Sequence, residues 1–350
     1  MNNIKKIGLS ALAGSLAMVS ANAVEYTMTG GLLSTYSMVK SDQAFKTGEN
    51  GKGFGTATDL SFNAAGELDN GFTVGYFMGV DTNGALANTS AQLTVGMGSF
   101  GTLQLNQIGG SKANGIDDIT PNAYNETWDG LTVGNGKTVA TENNPSFFGS
   151  QTSSGSIEYR MPAQAYMGVT MNSSLTYDPN AGVAGAAKGG VAPTNEGSGI
   201  AGTFQAAHES GLEFGFGHEE SDASEKNTSN LSSTTGYLKF SQGGVTIAYQ
   251  EAYRNASNET NITSVADTEA TMSGIAYTTG DLTVSWGEST IQTKGLGSTV
   301  AREKIKLESL QAAYVMGAMT VSAATSETKN HGGILAQNYE ENTLAVSFAF

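Results

Sequence analysis

The sequence predicts an all-β protein: a 16-stranded antiparallel transmembrane β-barrel with short turns at one end and long loops at the other. Three observations predict it. Apolar residues alternate with polar or small ones through sixteen segments, which is the period-2 signature of strands. Short and long connections between these segments alternate strictly, the layout of a barrel with short periplasmic turns and long external loops. An export signal precedes the first segment.

The signal occupies residues 1–23. Lys5 and Lys6 supply the positive start, Ile7 to Val19 is a short apolar stretch, and Ala21-Asn22-Ala23 forms the small-residue site with cleavage after Ala23. Residues 24–350 then form one barrel domain. No later stretch reaches the ~18 apolar residues of a membrane helix.

The strands follow in order. Val24–Val39 is the first, with Tyr26, Met28 and Leu32 opposite Glu25, Thr27 and Thr29. The next places Leu60, Phe62 and Leu68 on one face and Asp59, Asn63 and Glu67 on the other. Asp69-Asn70-Gly71 makes a tight turn, since Asn-Gly tolerates positive φ. Phe72, Val74, Tyr76, Met78 and Val80 continue the apolar face, and Phe77 breaks the pattern. Hairpins then follow at 91–107, 155–177, 199–219, 236–253, 269–289 and 308–325, and 341–350 closes the set.

Charge tests the assignment. The apolar frame carries only Glu251, Glu308, His208, His218 and, in one choice of frame, Glu269, all expected near strand ends. The other frame carries Glu25, Asp59, Asn63, Glu67, Asp81, Glu158, Arg160, Glu213, Glu219 and Lys239. In a barrel, the apolar frame meets lipid and the polar frame lines a wet lumen. Sixteen strands enclose more space than side chains fill. The competing reading is a secreted or surface all-β adhesin, with the apolar frame packed against a second sheet.

Composition excludes other classes. Glycine is 46 of 350 residues, against a usual ~7%. The net charge of −15 argues against nucleic acid as a partner. Without cysteine there are no disulfides, thiolate metal sites or Cys nucleophiles. The histidines, at 208, 218 and 331, show no metal or catalytic spacing, so no enzyme is expected.

The signal peptide, GSFGTLQLNQ (98–107), GDLTVSWG (280–287), YVMGAMTVSA (314–323) and the terminal LAVSFAF (344–350) together resemble the general outer-membrane porins of Gram-negative bacteria, the alphaproteobacterial type in particular. The resemblance spans the whole chain in pattern. It implies a homotrimeric channel in the outer membrane, in contact with lipid and lipopolysaccharide, passing ions and small hydrophilic solutes. It also implies that the outer-membrane assembly machinery reads Phe350, and that the third loop folds into the lumen.

That loop runs from about Ile108 to Ser154. The resemblance places Asp117, Asp118, Glu126 and Asp129 at the pore constriction. Glu25, Asp59, Asn63, Glu67, Arg160 and Lys239 are expected to line the lumen. Many enteric members of the family carry an arginine cluster opposite the loop; here strands one to three have carboxylates instead. An acidic lumen concentrates cations, so weak cation selectivity is expected. No cofactor is expected beyond Ca²⁺, for which Asp117 and Asp118 are the candidate oxygen ligands. Family members latch to neighbours through the second loop, which is short here (Thr82–Ser90).

Overall fold

Successive side chains of a strand point to opposite sides, so a sheet with one apolar and one polar face must separate two environments. Here one sheet does so by closing on itself. In the computed structural model, residues 25–41, 51–81, 86–129, 131–133, 137–139, 146, 148–150, 152–179, 197–222, 229–258, 266–295 and 303–350 are described. The segment 1–23 expected to be an export signal, with its expected cleavage residue Ala23, lies outside them.

The barrel strands are β1 (Glu25–Ser41), β2 (Gly51–Glu67), β3 (Thr73–Asp81), β4 (Ala87–Gly96), β5 (Thr102–Ile108), β6 (Ser156–Arg160, continued by Gln164–Tyr166), β7 (Val169–Asp178) and β8 (Gly199–His208). The second half comprises β9 (Leu212–Ser221), β10 (Ser229–Gln242), β11 (Val245–Asn258), β12 (Ala266–Thr279), β13 (Leu282–Gly295), β14 (Ile305–Met316), β15 (Met319–Lys329) and β16 (Tyr339–Ala349). Each pairs antiparallel with its neighbour in sequence, and β1 pairs with both β2 and β16. At that seam Gly30 and Phe350 exchange both backbone bonds, at 2.7 and 3.0 Å. Among the described residues the barrel sheet closes on itself, so its ladder groups pair within the sheet as hydrocarbon requires.

The tight turns at one end rest on positive φ. Gly71 (φ 80°) follows Asn70, whose side chain accepts the Phe72 N–H at 3.1 Å. Gly211 (φ 91°) lies so close to the Ser241 carbonyl that a Cβ would collide with it.

Register sorts the faces. Tyr76, Leu93, Leu105, Ile157, Tyr177 and Ile200 stand opposite one another across β3 to β8, and all are exposed. The inner row Gln104, Glu158, Thr176, Ala201 and Glu219 is buried. The apolar face is the exterior of a single closed sheet and packs on no second one, which disfavours the adhesin alternative. Phe77 pairs with Asn63 and Gln92 and so faces inward.

Several strands are longer than the apolar pattern predicts. β2 begins at Gly51 and β10 at Ser229. Their outer ends are mostly Gly, Ser and Thr, which ladder well but give no apolar stripe. The outward carboxylates correct the expectation of charges confined to strand ends. Glu251 is central in β11 and Glu288 central in β13, and both face out. Glu269 also faces outward, opposite Tyr253.

Candidate functional site: the lumen and its third loop

A loop can lie inside a barrel only where the wall offers space and hydrogen-bond partners. This wall does both. From β5 the chain enters the lumen at Gly109 and Gly110. Gln92 donates to the carbonyls of Ile108 (2.8 Å) and Gly109 (2.9 Å), and Gln104 and Arg160 donate to that of Gly110 (2.9 and 3.0 Å). Glu158, fully buried on β6, accepts the Lys112 N–H at 2.7 Å and pairs with Arg160 at 2.7 Å.

The loop then follows the wall. Gln250 of β11 accepts the Ile119 N–H (3.0 Å) and donates to the Ile116 carbonyl (2.9 Å). Ser285 of β13 accepts from Ala123 at 2.8 Å. Gln311 of β14 accepts from Tyr124 (2.7 Å) and donates to Asn125 (2.6 Å). Glutamine suits this work because one amide serves a backbone N–H and a backbone C=O at once.

Inward glycines make the room. Gly217 seats Phe148 and Ile116, Gly274 seats Pro121, and Gly287 seats Thr127. Inward apolar residues complete the seat: Trp128 packs on Ile291, Ile305 and Leu307. Beyond Trp128 the chain forms a short ribbon (Leu131–Val133 with Lys137–Val139), whose first run lies beside β2. It returns to β9, where buried Glu219 accepts from Gly149 N–H (3.0 Å), Thr152 (2.9 Å) and Ser233 (3.0 Å). The loop therefore spans the lumen and is pinned at both ends by wall carboxylates.

The loop carboxylates differ in role. Asp118 is buried. One of its oxygens accepts from the N–H (2.8 Å) and hydroxyl (2.6 Å) of Thr120, and the other from the Trp128 indole (3.1 Å). Asp117 accepts the Asp118 N–H at 2.9 Å. Glu126 is buried and Asp129 half-buried. The oxygens of Asp118 shape the loop, and no group of three or more metal-binding side chains occurs among the described residues. Tyr124 reports the field here: burial first, then the negative charges of Glu341 and Asp129, push its phenol up to about 12. A wall carboxylate and a loop carboxylate thus act on the same buried ring.

The expected wall residues fall on the inner face by register. Glu25, Asp59 and Asn63 pair along β1, β2 and β3 with Ala65, Gly31 or Asp81, and Thr27. Glu67 is at the turn end of β2, opposite Thr73. Lys239 pairs with Glu213 at 3.1 Å. Sequence reasoning missed one inward base. Arg254 faces in, opposite Ser233, and feels the charge of Glu219. It sits just past where the apolar alternation of β11 stops; the frame, extended by one residue, would have found it. His208 and His218 point outward, to Ser210 (2.8 Å) and Thr234 (2.8 Å).

Neither a family model nor a curated protein matches the sequence. Solved structures do. The chain superposes on an anion-selective porin from Comamonas acidovorans with TM-score 0.65 and 12% identity, covering 94% of this chain and 100% of that one. The fold is the porin fold. OmpF of Salmonella typhi, in complex with daunomycin, gives TM-score 0.63 and 12% identity over 95% and 99% of the two chains. OmpT, an outer membrane protein of Vibrio cholerae, gives 0.60 and 11% over 97% and 100%. The porin fold here keeps its sixteen strands: the sheet has seventeen runs, two of which are the successive parts of β6.

Proposed function

We propose that this chain is a porin of the Gram-negative outer membrane, a water-filled channel for passive diffusion of ions and small hydrophilic solutes, with weak preference for cations. The observation that carries the reading is the acidity of both sides of the lumen. Of the inward wall bases, Arg160 pairs with Glu158 and Lys239 with Glu213, and Arg254 feels the charge of Glu219. Asp59, Asp81 and Glu341 stand on the inner face of the wall, and Asp117, Glu126 and Asp129 on the loop inside it. Fixed charge of one sign in a narrow, low-dielectric channel concentrates counter-ions. Asp118 belongs to the same constriction as the residue that holds the loop's shape. The Comamonas porin is described as anion-selective; the charges of this lumen argue for the opposite sign.

In this reading Phe350 ends the strand that the outer-membrane assembly machinery recognises, and three copies assemble. Planar-bilayer recording in asymmetric salt tests it. A cation-directed reversal potential and conductance steps in threes are expected. A zero or anion-directed potential refutes the selectivity, and absence of conductance refutes the channel.

A further inference from the structure

The outward charges are unevenly distributed around the barrel. Outward carboxylates occur on β11 to β16: Glu251, Asp267, Glu269, Glu288, Glu308, Glu327 and Glu340. Glu220 adds one on β9. The described outward positions of β1 to β8 carry none. Four stand directly opposite one another in the ladder, Glu288 to Glu308 to Glu327 to Glu340. Like charges so placed repel. Lysines relieve them: Lys306 lies 2.9 Å from Glu288 and 3.3 Å from Glu308, Lys329 3.2 Å from Glu327, and Lys40 3.9 Å from Glu340. Such an exposed lattice needs water or polar headgroups, because hydrocarbon solvates neither sign.

The lattice leaves little apolar wall beneath it. On β13 the outward run is Leu282, Val284 and Trp286, after which Glu288 begins the lattice. Two residues advance a strand by ~6.7 Å, or ~5 Å of height at a tilt of ~40°. The run is therefore ~10 Å tall on β13, and from Met316 to Leu310 on β14 it is ~15 Å, against a usual band of ~25 Å. On β7 the outward face stays uncharged from Val169 to Tyr177, and on β1 from Tyr26 to Met38, ~20 and ~30 Å by the same measure.

We propose that the barrel thins the bilayer on its β9–β16 side, with the outer hydrocarbon boundary just above Trp286 and Leu310 at mid-strand, while the β1–β8 side meets a layer of ordinary thickness. Bilayers adapt to a short apolar face by local thinning. The inference rests on the membrane-spanning reading above.

The chain has no cysteine, so single spin labels can be placed at V284C, T290C and Y177C in phosphatidylcholine bilayers. Thr290 and Tyr177 lie equally far along their strands, eight residues from Leu282 and Val169, and T290C leaves Glu288 intact. Oxygen reports hydrocarbon and a nickel chelate reports water. The expected result is a several-fold higher oxygen-to-nickel accessibility ratio at 177 and 284 than at 290. Equal ratios at 177 and 290 overturn the thinning while 284 still confirms insertion. A label at 290 shielded from both probes overturns it in favour of a second copy covering this face. Water-like values at 284 and 177 alike remove the membrane reading itself, and the thinning with it.

Discussion

The ring of Phe148 fills the space that a side chain at Gly217 would take. A Cβ built on Gly217 collides with the ring and comes within 3.0 Å of Ile116. The loop is seated on that vacancy, with Ala113, Ala201 and Tyr237 around it.

Gly217→Ala is therefore expected to overpack the seat, at about 1–3 kcal/mol. Gly202→Ala is the control, because its Cβ would meet only a carbonyl at 3.9 Å. Single-channel recording should show raised current noise or an altered conductance for the first variant and wild-type traces for the second. Identical traces from both would remove Phe148 as an anchor.

Glu219 holds the returning limb through two donors, Gly149 and Thr152, and accepts a third bond from Ser233 of β10. Glu219→Gln replaces one acceptor oxygen by a donor and leaves a buried N–H or hydroxyl unanswered, at about 1–3 kcal/mol. The expected outcome is a looser constriction with the barrel intact. Heat-dependent gel migration should stay near wild type while open-channel noise rises.

The seam depends on the last residue. Phe350 exchanges two backbone bonds with Gly30, and its ring covers the Gly30 Cα. Deleting Phe350 removes both bonds and uncovers the seam. Refolding yield in detergent, read as the fraction migrating in the compact unheated form, is expected to fall. Gly30→Val should lower it as well, because the ring leaves no room for a side chain.

Tyr124 makes the loop sensitive to alkali. Its neutral phenol persists to about 12 in the folded loop, whereas an unfolded tyrosine ionises near ~10. A raised pKa stabilises the folded state fully below the unfolded value, and that contribution is lost as pH rises through the folded one. Docking should weaken between about pH 10 and 12. Ultraviolet titration should show a late-ionising component that shrinks by one tyrosine in Tyr124→Phe. A wild-type curve with no late component would contradict the buried placement.

The strand count, the faces and the closing Phe350 were legible in the sequence because strand alternation is local: each residue's side follows from its neighbour's. Phe77, noted there as an exception to the apolar face, sits in the lumen by the same rule. The outer halves of β2 and β10 were not legible. They ladder through Ser, Thr and Gly, which carry no apolar period. Glu288 and Glu327 went unremarked, since they stand where the apolar stripe gives way to charge. Most of the loop seat was unread too. Gly217, Gly274 and Gly287 are small inward residues on three strands far apart in sequence, and the joint purpose of three such vacancies appears only when the barrel brings them onto one wall.

By itself the sequence determined the barrel: period, turn chemistry and alternating connection lengths are short-range properties, and an even set of such hairpins closes in one way. Only the tertiary structure decided where the third loop lies and which carboxylates face one another. Asp118 turned inward to Thr120 and Trp128, and Glu158 and Glu219 became clamps. The course of the loop depends on contacts between residues up to 187 positions apart, whose pairing no local pattern encodes.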